Sequence, residues 1–178
     1  MNIVIIGYGG MGAYHADRLK EIKDIDVVGA YDIDPARMAL AEKNGYTAYK
    51  SADAVFADKA VDAVLIATPN DVHPEYVARA AKAGKAALCE KPAAVDAATF
   101  DTMVENARKG GTLLEVHQNR RWDSDFLMVQ DILASGLLGK LERVESYVMG
   151  ANGIPGGWRK IKAHGGGMML DWGVHLID

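Results

Sequence analysis

NIVIIGYGGMG, residues 2–12, joins an unbroken apolar run, Ile3 to Ile6, to three glycines, Gly7, Gly9 and Gly12, spaced G-x-G-x-x-G. An apolar run of that length followed at once by glycine reads as a buried strand entering a tight turn. Each glycine has a physical task in such a turn. The first bends the chain, the second lets a pyrophosphate approach the backbone, and the third lets the following helix pack closely on the strand with its N-terminus toward the anion. Glycine-rich turns are common, so the loop by itself is a weak signal and its context decides. Asp32 closes the second strand candidate, twenty residues beyond Gly12. A carboxylate there can accept both hydroxyl hydrogens of an adenosine ribose and repels a 2′-phosphate. The spacing therefore predicts a dinucleotide site that prefers NAD, with NADP admissible through Arg37 or a rotated Asp32.

Outward from this loop, short β-branched runs alternate with helical segments, the pattern of a parallel sheet covered on both faces. Strands are expected at 2–7, 26–32, 63–68, 86–90 and 112–117. Asp34 and Pro35 open a helix that Gly45 closes, Pro74 opens another that ends at Gly84, and Asp96 begins a third that stops at Gly110. The expected fold class is α/β, a doubly wound parallel Rossmann sheet over residues 1–120.

Beyond "HQNRRWDSD" (117–125) the pattern changes. A helix is expected over 124–135, a strand over 141–149, then a glycine-rich loop over 153–167 and a closing helix. One strand and two helices cannot enclose a core, so 121–178 reads as the start of a second domain whose remainder is absent. In the closing helix Asp171, His175 and Asp178 are spaced to share one face beside an apolar stripe of Leu170, Val174 and Ile177.

Composition narrows the classes of function. Of 178 residues 49% are apolar and 25% charged, which is globular rather than disordered or fibrous. The net charge of -4, without a long basic run, offers nothing to nucleic acid or to an anionic membrane, and Arg159, Lys160 and Lys162 read as a solvated loop. No apolar run approaches the ~18 residues of a membrane span. A single cysteine, Cys89, cannot form an internal disulfide and points to a reducing cytoplasm.

Ligands of open parallel sheets lie beyond the carboxyl ends of the strands, where this chain carries "TPND", "EKP" and "HQNRRW". Lys91 stands where a nicotinamide ring would lie and could stabilise a developing alkoxide; on spacing alone it is equally a surface lysine. His175 titrates in the range a general base needs, and a buried structural histidine is the competing reading. Asp171 and His175 as an i, i+4 pair are thin evidence for a metal, and none is expected. Packing suffices for His15, His73, Cys89, Met168 and Met169, while His117 and His164 carry no signal of their own.

In order along the chain, "GYGGMG", "ATPNDVH", "CEKP", "NRRWD", "GGWR" and "GGGMMLDWGVHLID" resemble the glucose-fructose oxidoreductase and inositol dehydrogenase family, Gfo/Idh/MocA. The resemblance runs over the whole chain. It implies an NAD(P)-dependent oxidoreductase acting on the CH-OH groups of a small-molecule sugar, polyol or related carbonyl compound. By resemblance Lys91 and His175 are the catalytic pair, with Asp171 beside them. The cofactor would meet Gly7, Gly9, Gly10, Met11 and Gly12 of the first loop and Asp32 after the second strand. It would also meet Thr68, Pro69, Asn70 and His73 of "ATPNDVH", then Glu90, Lys91, Asn119, Trp158 and Arg159. Two other readings share the scaffold: a non-catalytic dinucleotide-binding sensor, and a glycoside hydrolase that uses NAD transiently.

Members of this family are generally far longer and couple the Rossmann domain to a C-terminal α/β domain, so the resemblance implies that 121–178 begins a truncated substrate and oligomerisation domain and that the chain is the front part of an enzyme that is a homo-oligomer at full length. By itself it should bind NAD but turn over slowly or not at all, because the pocket is open to water on one side. With its strand 141–149 lacking neighbours, it should self-associate there or leave 121–178 poorly ordered.

Overall fold

The computed structural model describes residues 1–149 and 156–178. Six strands, β1 (Asn2–Ile6), β2 (Asp26–Tyr31), β3 (Thr47–Ala48), β4 (Ala63–Ile66), β5 (Ala86–Cys89) and β6 (Leu114–Val116), form one sheet in the order β3-β2-β1-β4-β5-β6. Every neighbouring pair is parallel. Alternation along β1 sends its side chains to two cores. Ile3 and Ile5 pack with Ala16 and Leu19 of helix α1 (Gly10–Leu19) and Ala41 of α2 (Pro35–Lys43). Val4 and Ile6 pack with Val55 of α3 (Ala52–Ala57), Val77 of α4 (His73–Lys82) and Met103 of α5 (Ala97–Gly110). Val4, Ile5 and Ile6 are fully buried, and each such side chain contributes about 1.5–3 kcal/mol relative to exposure.

The helix ends follow their capping residues. The Ala36 N–H donates to the Asp34 carboxylate at 2.9 Å and the Thr99 N–H to Asp96 at 2.8 Å, satisfying donors that a helix start leaves unpaired. Two elements escape the sequence pattern, β3 and α3. The first has only two residues and so no periodicity; the second, capped by Ser51 on the Ala54 N–H at 3.2 Å, is under two turns long.

Order reverses between β1 and β4, which lie side by side although two strands separate them in sequence. Their carboxyl ends open the crevice where doubly wound sheets hold ligands. The loop Gly7–Gly12 enters it from β1 and "TPND" from β4.

The second segment departs from expectation. Helix α6 (Ser124–Ala134) forms, with Met128 and Val129 more than half exposed and no fully buried residue. The strand expected over 141–149 does not: these residues carry no strand pairing, and Val144, Tyr147 and Met149 are exposed. Their β-branched alternation meets no neighbouring strand among the described residues, and a lone strand has no ladder to complete. Of the glycine-rich loop, 153–155 lie outside the described residues. The rest forms 3₁₀ turns at Gly157–Lys160 and Lys162–His164.

The closing helix is not uniformly α. A π turn, Met169–Gly173, precedes α7 (Val174–Ile177). Gly173 is explained within that helix, since a Cβ there would lie 3.1 Å from Cε of Met169. Met169 covers the glycine and is itself 68% exposed, so it does not pack into a core as expected.

No helix of the described residues is long and apolar enough to cross a membrane. Cys89 is fully buried in β5, and burial pushes its thiol well above the ordinary range. Folded protein should therefore resist a disulfide-exchange reagent at pH 8 and react with one equivalent in denaturant. Rapid labelling of the folded chain would show that β5 opens.

Candidate active site

Three clefts run together along the carboxyl ends of the strands. The first, about 340 Å³, is lined by Gly7 and Gly9, by Asp32 and Ile33, and by Pro69 and Asp71. It shares Gly9, Thr68 and Trp158 with the second, about 380 Å³, which adds Gly10, Met11, Asn70 and Arg159. The second shares Met11, Glu90, Lys91, Arg159 and Asp171 with the third, about 630 Å³, which also holds Asn119, Trp172 and His175. One groove thus leads from the end of β2 across the glycine loop to the closing helix.

Several features of this groove fit a dinucleotide. Gly7 has φ +91°, and a Cβ on it would lie 2.7 Å from the Ala67 carbonyl oxygen; a Cβ on Gly12 would lie 2.0 Å from the Gly7 oxygen. Those two glycines are required by the chain's own packing. Gly9 is different, because a Cβ there would meet no atom of the chain within 4 Å and would stand in the groove. Helix α1 starts there without a side-chain cap, so its first N–H groups face the groove unpaired by any side chain. The buried hydroxyl Oγ1 of Thr68 has no hydrogen-bond partner among the described residues and lies on the groove wall. Asp32 uses Oδ1 to accept the Asp34 N–H at 2.9 Å, which holds the carboxylate at the mouth of the first cleft. Asp34 itself caps α2, and Arg37 leans toward Asp34 at 4.0 Å rather than into the groove.

Not every expected cofactor residue lines this groove. Gly12 supports the loop from below. His73 is fully buried, with its ring nitrogens 3.0 Å from the carbonyl oxygens of Pro92 and Thr68, tying the turn after β4 to the turn after β5. Asn119 lines the groove at its third cleft only. Asn70 does line the groove, and its amide donates to the Gly165 carbonyl at 2.8 Å, drawing the turn 162–165 over it. Trp158 and Arg159 arrive on the neighbouring 3₁₀ turn.

At the deep end, the Lys91 ammonium donates to the Asp171 carbonyl oxygen at 2.7 Å and to its Oδ1 at 3.1 Å. Arg159 Nε stands 3.5 Å from the same Oδ1. Residues 80 apart in sequence meet here because the π turn carries Asp171 back over the end of β5; π turns recur at functional sites. His175, on α7, lines the same cleft with its ring edge-on to Trp172 at 5.8 Å. Burial, then the charges of Lys91 and Arg120, lower its pKa, outweighing Asp171 and Glu90. The imidazole is therefore neutral at pH 7, as a proton acceptor must be. Asp178 does not join this face: Arg121 binds it in a fork at 2.5 and 2.6 Å.

Sequence reasoning missed the surroundings of Glu90. Its Oε1 lies 2.6 Å from His15 Nε2 and 3.1 Å from His117 Nδ1, and its Oε2 accepts the Lys91 N–H at 3.0 Å. Burial opposes ionisation of Glu90, but the two imidazoles outweigh it and hold the carboxyl well below the usual range. The position of His117, one residue past β6 at the ligand end of the sheet, was the available signal. Arg120, stacked on Trp172 at 4.8 Å, was also missed.

Comparison with known proteins agrees with this geometry. The family described as an oxidoreductase family with an NAD-binding Rossmann fold, GFO/IDH/MocA, matches residues 1–118, and a GFO/IDH/MocA C-terminal domain matches 126–178. Myo-inositol 2-dehydrogenase of Thermotoga maritima is 33% identical over 180 residues, covering 100% of this chain and 53% of that protein. The scyllo-inositol 2-dehydrogenase (NADP(+)) of Bacillus subtilis is 29% identical, covering 100% of this chain and 50% of that protein. The crystal structure of an NAD-binding protein from Listeria innocua superposes with a TM-score of 0.96 at 46% identity, covering 99% of this chain and 52% of that one. The chain spans about half the length of the curated relatives it matches.

Proposed function

The chain belongs to the GFO/IDH/MocA oxidoreductase family, and from that premise we propose that it forms the cofactor-binding and catalytic face of an NAD-dependent dehydrogenase of a sugar, polyol or related hydroxy compound. The observation that carries this reading is the contact of Lys91 with Asp171 in a cleft shared with His175 and continuous with the glycine loop. A bound dinucleotide would supply a nicotinamide ring as hydride acceptor. The chain's own residues manage the proton. His175 accepts the hydroxyl proton of the substrate, and Lys91 stabilises the oxygen as negative charge develops on it. Asp171, through its carbonyl and Oδ1, holds the ammonium in place, and Arg159 screens the carboxylate.

Asp32 and Asp71 bring two carboxylates to the outer cleft, Asp71 with His164 at 2.9 Å, and no Lys or Arg among the described residues lines the wall. That charge pattern supports NAD over NADP. Asp32→Ala is expected to weaken NAD about 10–100-fold, since hydrogen bonds to a charged group are worth ~1.5–3 kcal/mol, and to narrow the preference over NADP. Titration of both dinucleotides by protein fluorescence checks this. Unchanged NAD affinity in the variant would remove Asp32 from the site and with it the assigned direction of the groove.

Residues 121–178 are read as the start of a domain that completes the substrate pocket and covers the exposed apolar residues of α6, and the full-length protein as a homo-oligomer. A cytoplasmic setting is supported by the lone buried Cys89.

A further inference from the structure

The cluster of His15, Glu90 and His117 has no part in the chemistry above, yet it is built with care. It draws on α1, the end of β5 and the end of β6, and His15 and Glu90 are each 6% exposed. One carboxylate oxygen faces both rings at 2.6 and 3.1 Å, which places a proton on His15 Nε2 and on His117 Nδ1. The shorter distance is that of hydrogen-bonded atoms. Two ligand atoms on one tetrahedral zinc ion would stand about 3.3 Å apart, given bonds of ~2.0–2.1 Å.

With Nδ1 committed to Glu90, Nε2 of His117 is the nitrogen left to accept a proton. The His117 side chain is 29% exposed and lines the deep cleft together with Lys91, Arg120 and His175. Its orientation is fixed twice, by Glu90 and by the His15 ring packed edge-on at 4.6 Å and 78°. A carboxylate on one imidazole nitrogen and a reaction cavity beside the other is the arrangement of an oriented acid–base group. His175 needs such a neighbour, because the cations around it, Lys91 and Arg120, disfavour the imidazolium it would form. The charged groups against His117 include the opposite sign, Glu90.

We propose that His117, anchored by Glu90, is the proton relay of the cleft, an inference that rests on the oxidoreductase reading. In each turnover the C–H bond gives its electron pair and hydrogen to the nicotinamide as hydride, and the O–H proton passes to His175. That proton then moves through cleft water to Nε2 of His117, whose Nδ1–H remains on Glu90, and from Nε2 to solvent. His175 and His117 both return to the neutral state, and one proton is released for each dinucleotide reduced.

Two measurements test it, histidine spectra on this chain and turnover on the full-length protein. Long-range ¹H–¹⁵N spectra of the histidine side chains should show neutral His117 as the Nδ1–H tautomer, and Glu90→Gln should remove the preference for it. In turnover assays with NAD and a polyol substrate, His117→Asn keeps a donor for Glu90 but has no titrating nitrogen. It should lower kcat about 100-fold, leave NAD affinity unchanged and regain activity with added imidazole. The relay is overturned by the Nε2–H tautomer in the wild type, by wild-type turnover in His117→Asn, or by loss of activity that imidazole does not restore. Absence of NAD reduction by the full-length wild type with every alcohol would instead sink the oxidoreductase reading, while the tautomer is read independently of it.

Discussion

Lys91→Met is expected to slow hydride transfer by on the order of 10²–10³-fold, the effect of removing one preorganised donor from a developing oxyanion. Methionine keeps the length and apolar stem of the side chain and removes only the ammonium. That ammonium is tied down at two points, the Asp171 carbonyl oxygen at 2.7 Å and Oδ1 at 3.1 Å, so it pays little reorganisation to meet the substrate oxygen. Lys91 and Asp171 side chains are 17% and 13% exposed, and water cannot easily replace the lost cation. Asp171 keeps Arg159 at 3.5 Å, which argues against collapse of the deep end in the variant. Stopped-flow absorbance of NADH with a substrate deuterated at the reacting carbon checks the step directly. A rate within a few-fold of wild type would mean that Lys91 only binds Asp171.

The second large effect separates two glycines of one loop. In Gly12→Ala the new Cβ would sit 2.0 Å from the Gly7 carbonyl oxygen and 3.0 Å from Ile5 Cγ2. Neither β1 nor the start of α1 can give way without disturbing the core, and overpacking of this kind costs ~1–3 kcal/mol or more. Gly12→Ala should therefore lose both thermal stability and dinucleotide binding. In Gly9→Ala the new Cβ meets nothing of the chain within 4 Å, so the melting temperature should stay near that of wild type while NAD affinity falls at least 10-fold, because the methyl group stands where the pyrophosphate must approach. Melting curves with and without NAD distinguish the two. Equal destabilisation by both substitutions, or normal NAD binding by Gly9→Ala, would contradict the assignment of the loop.

What was legible in the sequence was what local rules encode. The apolar run before Gly7 and the cap residues Asp34 and Asp96 act within a few residues of themselves, and the elements they mark form within a residue or two of expectation; α5 does end at Gly110, but its left-handed cap is Gly111, and Gly110 is needed for close approach to Ala81 of α4. Lys91, Asp171 and His175 were legible through motif resemblance, and the structure brings all three to one cleft. The rest was hidden for physical reasons. Glu90 and His15 are 75 residues apart and Glu90 and His117 are 27 apart; periodicity says which face a residue occupies, not which polar group on another element will face it. The π turn at Met169–Gly173 has no local signature in residues whose spacing suits an ordinary helix. The alternation over 141–149 is a true β pattern without a partner strand among the described residues, and pairing is not a property of one segment.

The central claim is that the groove carries a dinucleotide with its reactive end among Lys91, Asp171 and His175. A crystal structure of the protein with NADH tests it most directly. The pyrophosphate should lie over Gly9 and the start of α1, with nicotinamide C4 facing the cleft between Lys91 and His175. A nicotinamide ring directed to solvent or to another hollow of the fold, with Lys91 still turned to Asp171 and no contact to the ring, would contradict it.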